Sequence, residues 1–138
     1  MTSQQTQTDQ NKAIARRLIE AANAQQYDVF DQLMTPEQAQ QAKDTMRWVY
    51  STFEGHHIDI IDMVAEGDKV MTRVTTRGGH SGEFEGVPPT GKQWIGKGFI
   101  FDRLENGKVV EVGWVMDWLD HLKQLGATIT PPAAEKAV

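Results

Sequence analysis

An aspartate near the end of the chain, Asp117, is the residue whose setting most suggests chemistry. It follows the almost wholly apolar run 112–116 and precedes Trp118. A carboxylate in such surroundings pairs with a cation, reaches water or serves proton transfer, because burying an unpaired charge is costly. Desolvation in an apolar pocket also makes a carboxylate a better base. We therefore expect Asp117 to be an acid–base group, with a structurally paired strand-end residue as the alternative.

Two further side chains could act together with Asp117. His80 lies in the glycine-rich run 78–82, where it would donate a hydrogen bond to a developing enolate or orient the carboxylate. The alternative is that His80 only bonds to the backbone. Arg103, on the neighbouring strand, would stabilise a negatively charged intermediate or simply form a salt bridge. Asp117, His80 and Arg103 are the predicted catalytic residues.

The sequence predicts neither a metal site nor a cofactor. His56, His57 and Asp59 are close in sequence, but adjacent residues of a strand point to opposite faces and rarely hold one ion. The chain has no cysteine, which excludes disulfides, thiol nucleophiles and zinc–thiolate sites.

The bulk composition indicates one globular domain. Of its 138 residues, 39% are hydrophobic and 24% are charged. A net charge of −5 and a pI near 5.3 argue against nucleic acid or an anionic membrane as a partner. No apolar run approaches the ~20 residues that a membrane span needs. The polar start of the chain does not resemble a signal peptide, so we expect a cytoplasmic protein.

The first third of the chain has helical patterns. Residues 1–8 are rich in glutamine and threonine and are expected to be disordered, so that Thr8 or Asp9 caps the first helix. A short second helix follows at 27–34. A third begins with Thr35 as N-cap and Pro36 at its first position, and Gln38 would complete a capping box.

In the remainder of the chain, apolar and polar residues alternate with the period of β-strands. Two strands at 57–78 are joined by a turn at 66–68, and two longer ones at 94–104 and 108–119 are joined by a turn at 105–107. A short helix then runs to Gly126, and a flexible tail is expected at 128–138. Helices followed by antiparallel strands indicate an α+β fold. A sheet curved around the helices would leave a cavity for a small hydrophobic molecule.

Aromatic residues are expected to line that cavity and bind the ligand. The predicted set is Trp94, Phe99 and Phe101 from the strands, with Tyr27 and Trp48 from the helices.

Strand parity relates Asp117 to the tryptophans near it. Asp117 shares its face with Val115, whereas Trp114 and Trp118 lie on the other. If Asp117 points into the cavity, the tryptophan face points outward. An outward apolar strip of that size requires a partner.

Four segments carry a family resemblance. They are HSGEFEGVPPTGK at 80–92, GFIFDRLENGKVVE at 98–111, VMDWL at 115–119 and LKQLG at 122–126. Together they resemble the SnoaL-like polyketide cyclase, or ester cyclase, family of the nuclear transport factor 2-like superfamily.

The resemblance implies a cone-shaped, curved antiparallel or mixed sheet packed on three N-terminal helices, in a single domain at 9–127. It implies an intramolecular aldol ring closure, or an isomerisation, on an apolar carbonyl compound without a cofactor. Asp117 matches the acid–base aspartate of that family. The resemblance also implies that the partner of the outward strip is a second copy of the chain, in a homodimer through the outer sheet face. Many members also have a histidine after the second helix, whereas no histidine precedes His56 here, so the cavity wall is expected to be reshaped.

Two other functions remain open at this stage. The chain could be a non-catalytic module that binds or protects a hydrophobic ligand, with Asp117 as a polar anchor only. It could also resemble epoxide hydrolases, in which aspartates and an arginine position water. Asp102, Arg103 and Asp117 supply those residue types, although Asp102 and Arg103 are adjacent and should face opposite ways on a strand.

Overall fold

The first third of the protein is helical. The structure, a computed structural model, describes residues 2–134. Its first three helices are α1 (Ser3–Ala24), α2 (Asp28–Leu33) and α3 (Pro36–Thr52). The prediction that residues 1–8 are disordered is wrong for residues 3–8, because Thr2 caps α1 by accepting a hydrogen bond from the backbone of Gln5.

Helix α3 starts where the sequence predicts. Thr35 is its N-cap and Pro36 is its first residue, but the Thr35 side chain makes no capping hydrogen bond. The predicted capping box therefore does not form. Gln38 lies instead on the wall of a cavity described below.

Four strands form one antiparallel sheet in chain order. They are β1 (Phe53–Glu66), β2 (Lys69–His80), β3 (Gln93–Glu105) and β4 (Lys108–Met116). The turn between β3 and β4 has Asn106 at φ 51° and Gly107 at φ 76°, the positive values that a tight two-residue hairpin requires. The predicted α+β fold, three helices followed by antiparallel strands, is confirmed.

Strand β4 is shorter than predicted. It ends at Met116, after which Asp117 caps the last helix, α4 (Trp118–Gln124). Strand β1 is bent by register shifts between Glu54 and His57 and between Ile60 and Asp62.

One face of the sheet packs on the helices. On β2 the inward residues are Val70, Thr72, Val74 and Thr76, the alternation that the sequence predicts. Val70 joins a core built mainly from α1, α2 and α3, whereas Phe53, Phe84, Trp94 and Leu125 form a second buried cluster near α4.

The C-terminal segment after α4 has no regular secondary structure at 127–134, and the rest of the predicted flexible tail, 135–138, lies outside the described residues. Within residues 2–134 no helix has the length and apolar character that crossing a membrane requires.

Candidate active site

A cavity of about 230 Å³ lies between the inward face of the sheet and helices α1 and α3. Most of its lining is apolar. All four tryptophans of the chain are on its wall, namely Trp48, Trp94, Trp114 and Trp118. Trp48 and Trp114 are 40% and 45% exposed, so the cavity opens to solvent between α3 and β4.

In the part of the chain that the structure describes, the only acidic side chain on this lining is that of Asp102 on β3. It is paired across the sheet with Val70 on one side and Val112 on the other, and it is 4% exposed. Desolvation raises the pKa of the Asp102 carboxyl to about 7, and no neighbouring charge or hydrogen bond offsets that effect. Asp102 is thus a buried carboxyl group that gains or loses a proton close to neutral pH.

A histidine, His56 of β1, lines the same cavity. It is 8% exposed, and its ring stacks at 6.1 Å on that of Trp94. Burial, with a smaller effect of His57, lowers the pKa of His56 to about 4, so the ring is neutral at neutral pH. Its Nδ1 atom has no hydrogen-bond partner among the described residues.

Asp102 and His56 lie at opposite ends of the cavity. Asp102 pairs with Val70 of β2, whereas Ile58, two residues after His56, pairs with Thr76. The stretch of β2 between Val70 and Thr76 spans about 20 Å at the usual rise of a strand. The two groups therefore cannot act on the same atom of a small ligand.

Asp117 is not on the cavity, contrary to the sequence-based expectation. Its side chain is exposed and accepts a hydrogen bond of 3.1 Å from the backbone N–H of Asp120, which caps α4. Asp117 and the tryptophans lie on opposite sides, as strand parity predicts, but the sides are the reverse of those expected. The tryptophan face, with Trp114 and Trp118, is the one that meets the cavity.

Arg103 lies on the strand next to β4, as expected, but not on the cavity. Its guanidinium lies on the outward face of the sheet, where it bonds Glu111 at 3.0 Å and Glu105 at 2.9 Å. The structural alternative for Arg103, a salt bridge, is what the geometry provides.

Phe99 and Phe101 belong to the same outward face, so the prediction that they line the cavity is wrong. They alternate with Ile100 and Asp102, which point inward. Phe99 is 46% exposed.

The contacts of His80 stabilise a loop and do not involve the cavity. It is fully buried, and its Nδ1 accepts a hydrogen bond of 3.1 Å from the backbone N–H of Thr90. Its own backbone bonds Lys92 and Gly91, so His80 closes the loop 81–92 at its base. The segment at 80–92 that carries much of the family resemblance is thus a loop folded around His80, and His80 does not line the cavity.

Two of the other three predicted binding residues line the cavity, and the third does not. Trp94 and Trp48 are on the cavity wall as expected, and their role in binding stays a prediction. Tyr27 is not on that wall but stacks on Phe30 at 5.4 Å, at the edge of the main core.

His56 and His57 point to opposite sides of β1, as expected of adjacent strand residues. His56 lines the cavity, whereas Nε2 of His57 lies 3.5 Å from Oδ1 of Asp59. Within residues 2–134 no group of three histidine, aspartate or glutamate side chains is arranged to hold a metal ion.

A family model identifies the class of protein to which this arrangement belongs. The model of SnoaL-like polyketide cyclases matches residues 12–125, and the chain is therefore a member of that family. A comparison with curated proteins gave no match.

Solved structures agree with this assignment. A proposed SnoaL-like polyketide cyclase from Jannaschia sp. CCS1 has a TM-score of 0.79 at 23% identity, over 94% of this chain and 98% of that one, which shows the shared fold. IdmH of Streptomyces antibioticus, a proposed polyketide cyclase, has a TM-score of 0.75 at 26% identity, over 85% and 99% of the two chains. AclR of Streptomyces galilaeus, a proposed hydroxylase, has a TM-score of 0.77 at 25% identity, over 91% of each chain.

Proposed function

We propose that this protein is an acid–base enzyme that transfers protons on an uncharged carbonyl compound, with Asp102 as its acid–base group. The observation that carries the proposal is a buried carboxyl without a counter-ion on the wall of an apolar cavity, with a pKa of about 7. A general acid–base group works best when its pKa is near the working pH. Membership of the SnoaL-like polyketide cyclase family supports the same class of reaction.

The chemistry follows from one carboxyl that changes protonation state. Ionised Asp102 removes a proton from the carbon next to the carbonyl, and the C–H electron pair becomes that of the enolate. In an isomerisation, protonated Asp102 returns the proton to a different carbon. In an aldol ring closure, the enolate carbon attacks a second carbonyl of the same molecule, and Asp102 protonates the resulting alkoxide.

Helix α3 supplies donors for the oxygen that becomes negative. Gln38, Gln41 and Thr45 line the cavity from this helix, and amide N–H and hydroxyl groups in an apolar site stabilise an enolate oxygen strongly. In this arrangement α3 binds the carbonyl oxygen while β3 supplies the base.

Exchange of α-protons for deuterium tests the proposal directly. The uncharged ketone 2-tetralone is incubated with enzyme in D2O, and loss of its α-proton signal is followed by NMR. We expect the wild type to accelerate exchange and Asp102→Asn to abolish the acceleration. The matched control, Asp117→Asn, retains an N-cap residue and should exchange at the wild-type rate. Loss of exchange in Asp117→Asn with retention in Asp102→Asn would restore the sequence-based assignment.

One observation favours a second function. Asp102 and His56 lie too far apart to cooperate, and a site with a single proton-transfer group could serve a module that only binds its ligand. This alternative predicts saturable binding of 2-tetralone with no exchange above background. The epoxide hydrolase alternative lacks its arginine, since Arg103 is on the other face of the sheet.

We also propose that two copies of the chain associate through the outward face of the sheet. Two cross-strand rows place apolar residues on this face, one with Met71 and Phe101 and the other with Phe99 and Val115. Val115 is 72% exposed and Val64, paired with Met71, is 67% exposed. This outer patch (Val64, Met71, Phe99, Phe101 and Val115) replaces the tryptophan strip as the expected contact surface.

A further inference from the structure

The size and charge of the cavity restrict its ligand. We propose that the natural ligand is an uncharged compound of one or two fused rings with a carbonyl group, and that anionic ligands and ligands of three or more fused rings bind much more weakly. The carbonyl rests on the proposed function, whereas the limits on size and charge rest on the cavity itself.

The charge limit comes from the lining residues. Within residues 2–134 no lysine or arginine lines the cavity, and the two titratable side chains, Asp102 and His56, lie at opposite ends. A carboxylate or phosphate entering this space would lose its hydration without meeting a cation, which is strongly unfavourable. The negative charge of the protein as a whole, −5, disfavours anions further.

The lining gives a cationic ligand no place where an aromatic face and a carboxylate meet. The faces of Trp94 and Trp118 could accept an ammonium group, but Asp102, the only group able to neutralise it, is not beside them. Along β3, Asp102 is eight positions from Trp94, and its cross-strand neighbours are Val70 and Val112. An uncharged ligand needs a counter-ion at neither end of the cavity.

The size limit comes from the volume. An apolar cavity of ~150 Å³ holds one benzene molecule. At about 230 Å³, this cavity has room for a substituted ring or two fused rings. It is also below the ~300–1,000 Å³ usual for drug-sized ligands. A third or fourth ring would have to remain outside the mouth between Trp48 and Trp114.

The walls favour rings over chains of the same volume. Trp94 is stacked on Phe53 with ring centroids 4.3 Å apart, and Trp114 contacts Trp118 edge to face at 5.5 Å. A flat ligand can extend these contacts by offset stacking or edge contact, a gain of about 0.5–1.5 kcal/mol for each aromatic pair.

Four probes test the inference, and three of them differ from the fourth, 2-tetralone, in one property each. They are 2-tetralone, the anion tetralin-2-carboxylate, the cation 2-aminotetralin and the three-ring ketone anthrone, and their dissociation constants are measured by equilibrium dialysis at pH 6. We expect 2-tetralone to bind at least tenfold more tightly than each of the others. Equal or tighter binding of the anion, the cation or anthrone, or no binding of any probe, overturns the inference.

Variants locate the binding in the cavity. Ala42→Phe and Thr45→Phe place a ring into the space from α3, and each should weaken 2-tetralone binding at least tenfold. Two sites are used because overpacking at Ala42 could disturb folding, which circular dichroism would reveal. Ala13→Phe makes the same change at an exposed position of α1 and should bind as the wild type. Unchanged binding by folded Ala42→Phe and Thr45→Phe places the ligand elsewhere and overturns the inference.

This binding series separates the inference from the proposed function. Tight binding of 2-tetralone without proton exchange would leave the ligand class standing and refute the acid–base role of Asp102. Binding and exchange of anthrone in preference to 2-tetralone would refute the ligand class and leave the acid–base role of Asp102 standing.

Discussion

Asp102 and Arg103 are neighbours on β3, yet their side chains lie on opposite faces of the sheet. Arg103 forms ion pairs with Glu105 and Glu111 on the outward face, whereas Asp102 is buried among apolar residues on the inward face. The cation closest to Asp102 along the chain therefore cannot neutralise it. The strand itself keeps this carboxyl unpaired, which raises its pKa to about 7.

The buried carboxyl should reduce stability at high pH. The pKa of Asp102 is raised from 3.8 to about 7 in the folded protein. Between these values the folded state holds a proton that the unfolded state releases, so stability falls as pH rises. Asp102→Asn removes this penalty. Compared with the wild type, the variant should gain about 4 kcal/mol in unfolding free energy between pH 4 and pH 8, measured by urea denaturation. A pH-independent difference would contradict the raised pKa.

His56 should have the opposite effect on stability. Its pKa is lowered from 6.5 to about 4, so the unfolded state binds a proton between these values that the folded state does not. The stability associated with neutral His56 is therefore present above pH 6.5 and lost as pH falls towards 4.

His56→Gln removes that acid sensitivity. Relative to the wild type, the variant should gain about 3 kcal/mol in unfolding free energy as pH falls from 7 to 4. His57→Gln, a substitution at the half-exposed neighbour, is the control and should leave the pH dependence nearly unchanged. Identical pH profiles for the wild type and His56→Gln would show that His56 is not neutralised by burial.

The rate of proton exchange should follow the ionisation of Asp102. Because the ionised carboxylate is the base, kcat/KM for deuterium exchange into 2-tetralone should rise with pH, bend near pH 7 and become level above it. Asp117→Asn should show the same profile. A profile without an inflection between pH 6 and 8 would exclude Asp102 as the base.

Gly96 should not tolerate a side chain. A Cβ atom at this position would lie 2.7 Å from both Nε2 of His121 and Cζ2 of Trp94. Overpacking of this kind costs about 1–3 kcal/mol, so Gly96→Ala should lower the unfolding free energy by that amount. Gly113→Ala is the matched control, because its Cβ would meet only Phe101, at 3.9 Å. Equal stability of the two variants would contradict the close packing over Gly96.

The outer patch should determine the oligomeric state. Sedimentation velocity is expected to show a dimer for the wild type and a monomer for Phe99→Glu, since a carboxylate would be buried at the contact. Leu119→Glu changes an equally exposed apolar residue on α4 and should remain dimeric. A monomeric wild type, or a dimeric Phe99→Glu, would refute this interface.

Local signals in the sequence were sufficient for most of the fold. Thr35 and Pro36 mark the start of α3 because capping and proline geometry depend only on adjacent residues. Asn106 and Gly107 mark the β3–β4 turn for the same reason, as both must adopt positive φ. The SnoaL-like resemblance of the segments from His80 onward is confirmed by the family model.

The site could not be derived in the same way, because it depends on which face of each strand meets the helices. On β3 the outward face carries Phe99 and Phe101, whereas the inward face carries Gly96 and Gly98, so aromatic content indicated the wrong face. Only glycine fits at these inward positions, because neighbouring side chains occupy the space above them: Trp94 and His121 at Gly96, and Met116 at Gly98. One local signal was available: an aspartate before an amphipathic segment is a typical N-cap, which would have placed Asp117 at the start of α4.

The position of the tryptophans has a practical consequence. Since the indole rings of all four, Trp48, Trp94, Trp114 and Trp118, line one cavity, the fluorescence that is excited selectively from tryptophan originates there alone. A change in emission reports on that space rather than an average over the molecule. The protein therefore carries its own optical sensor of occupancy, one that needs neither a label nor knowledge of the ligand.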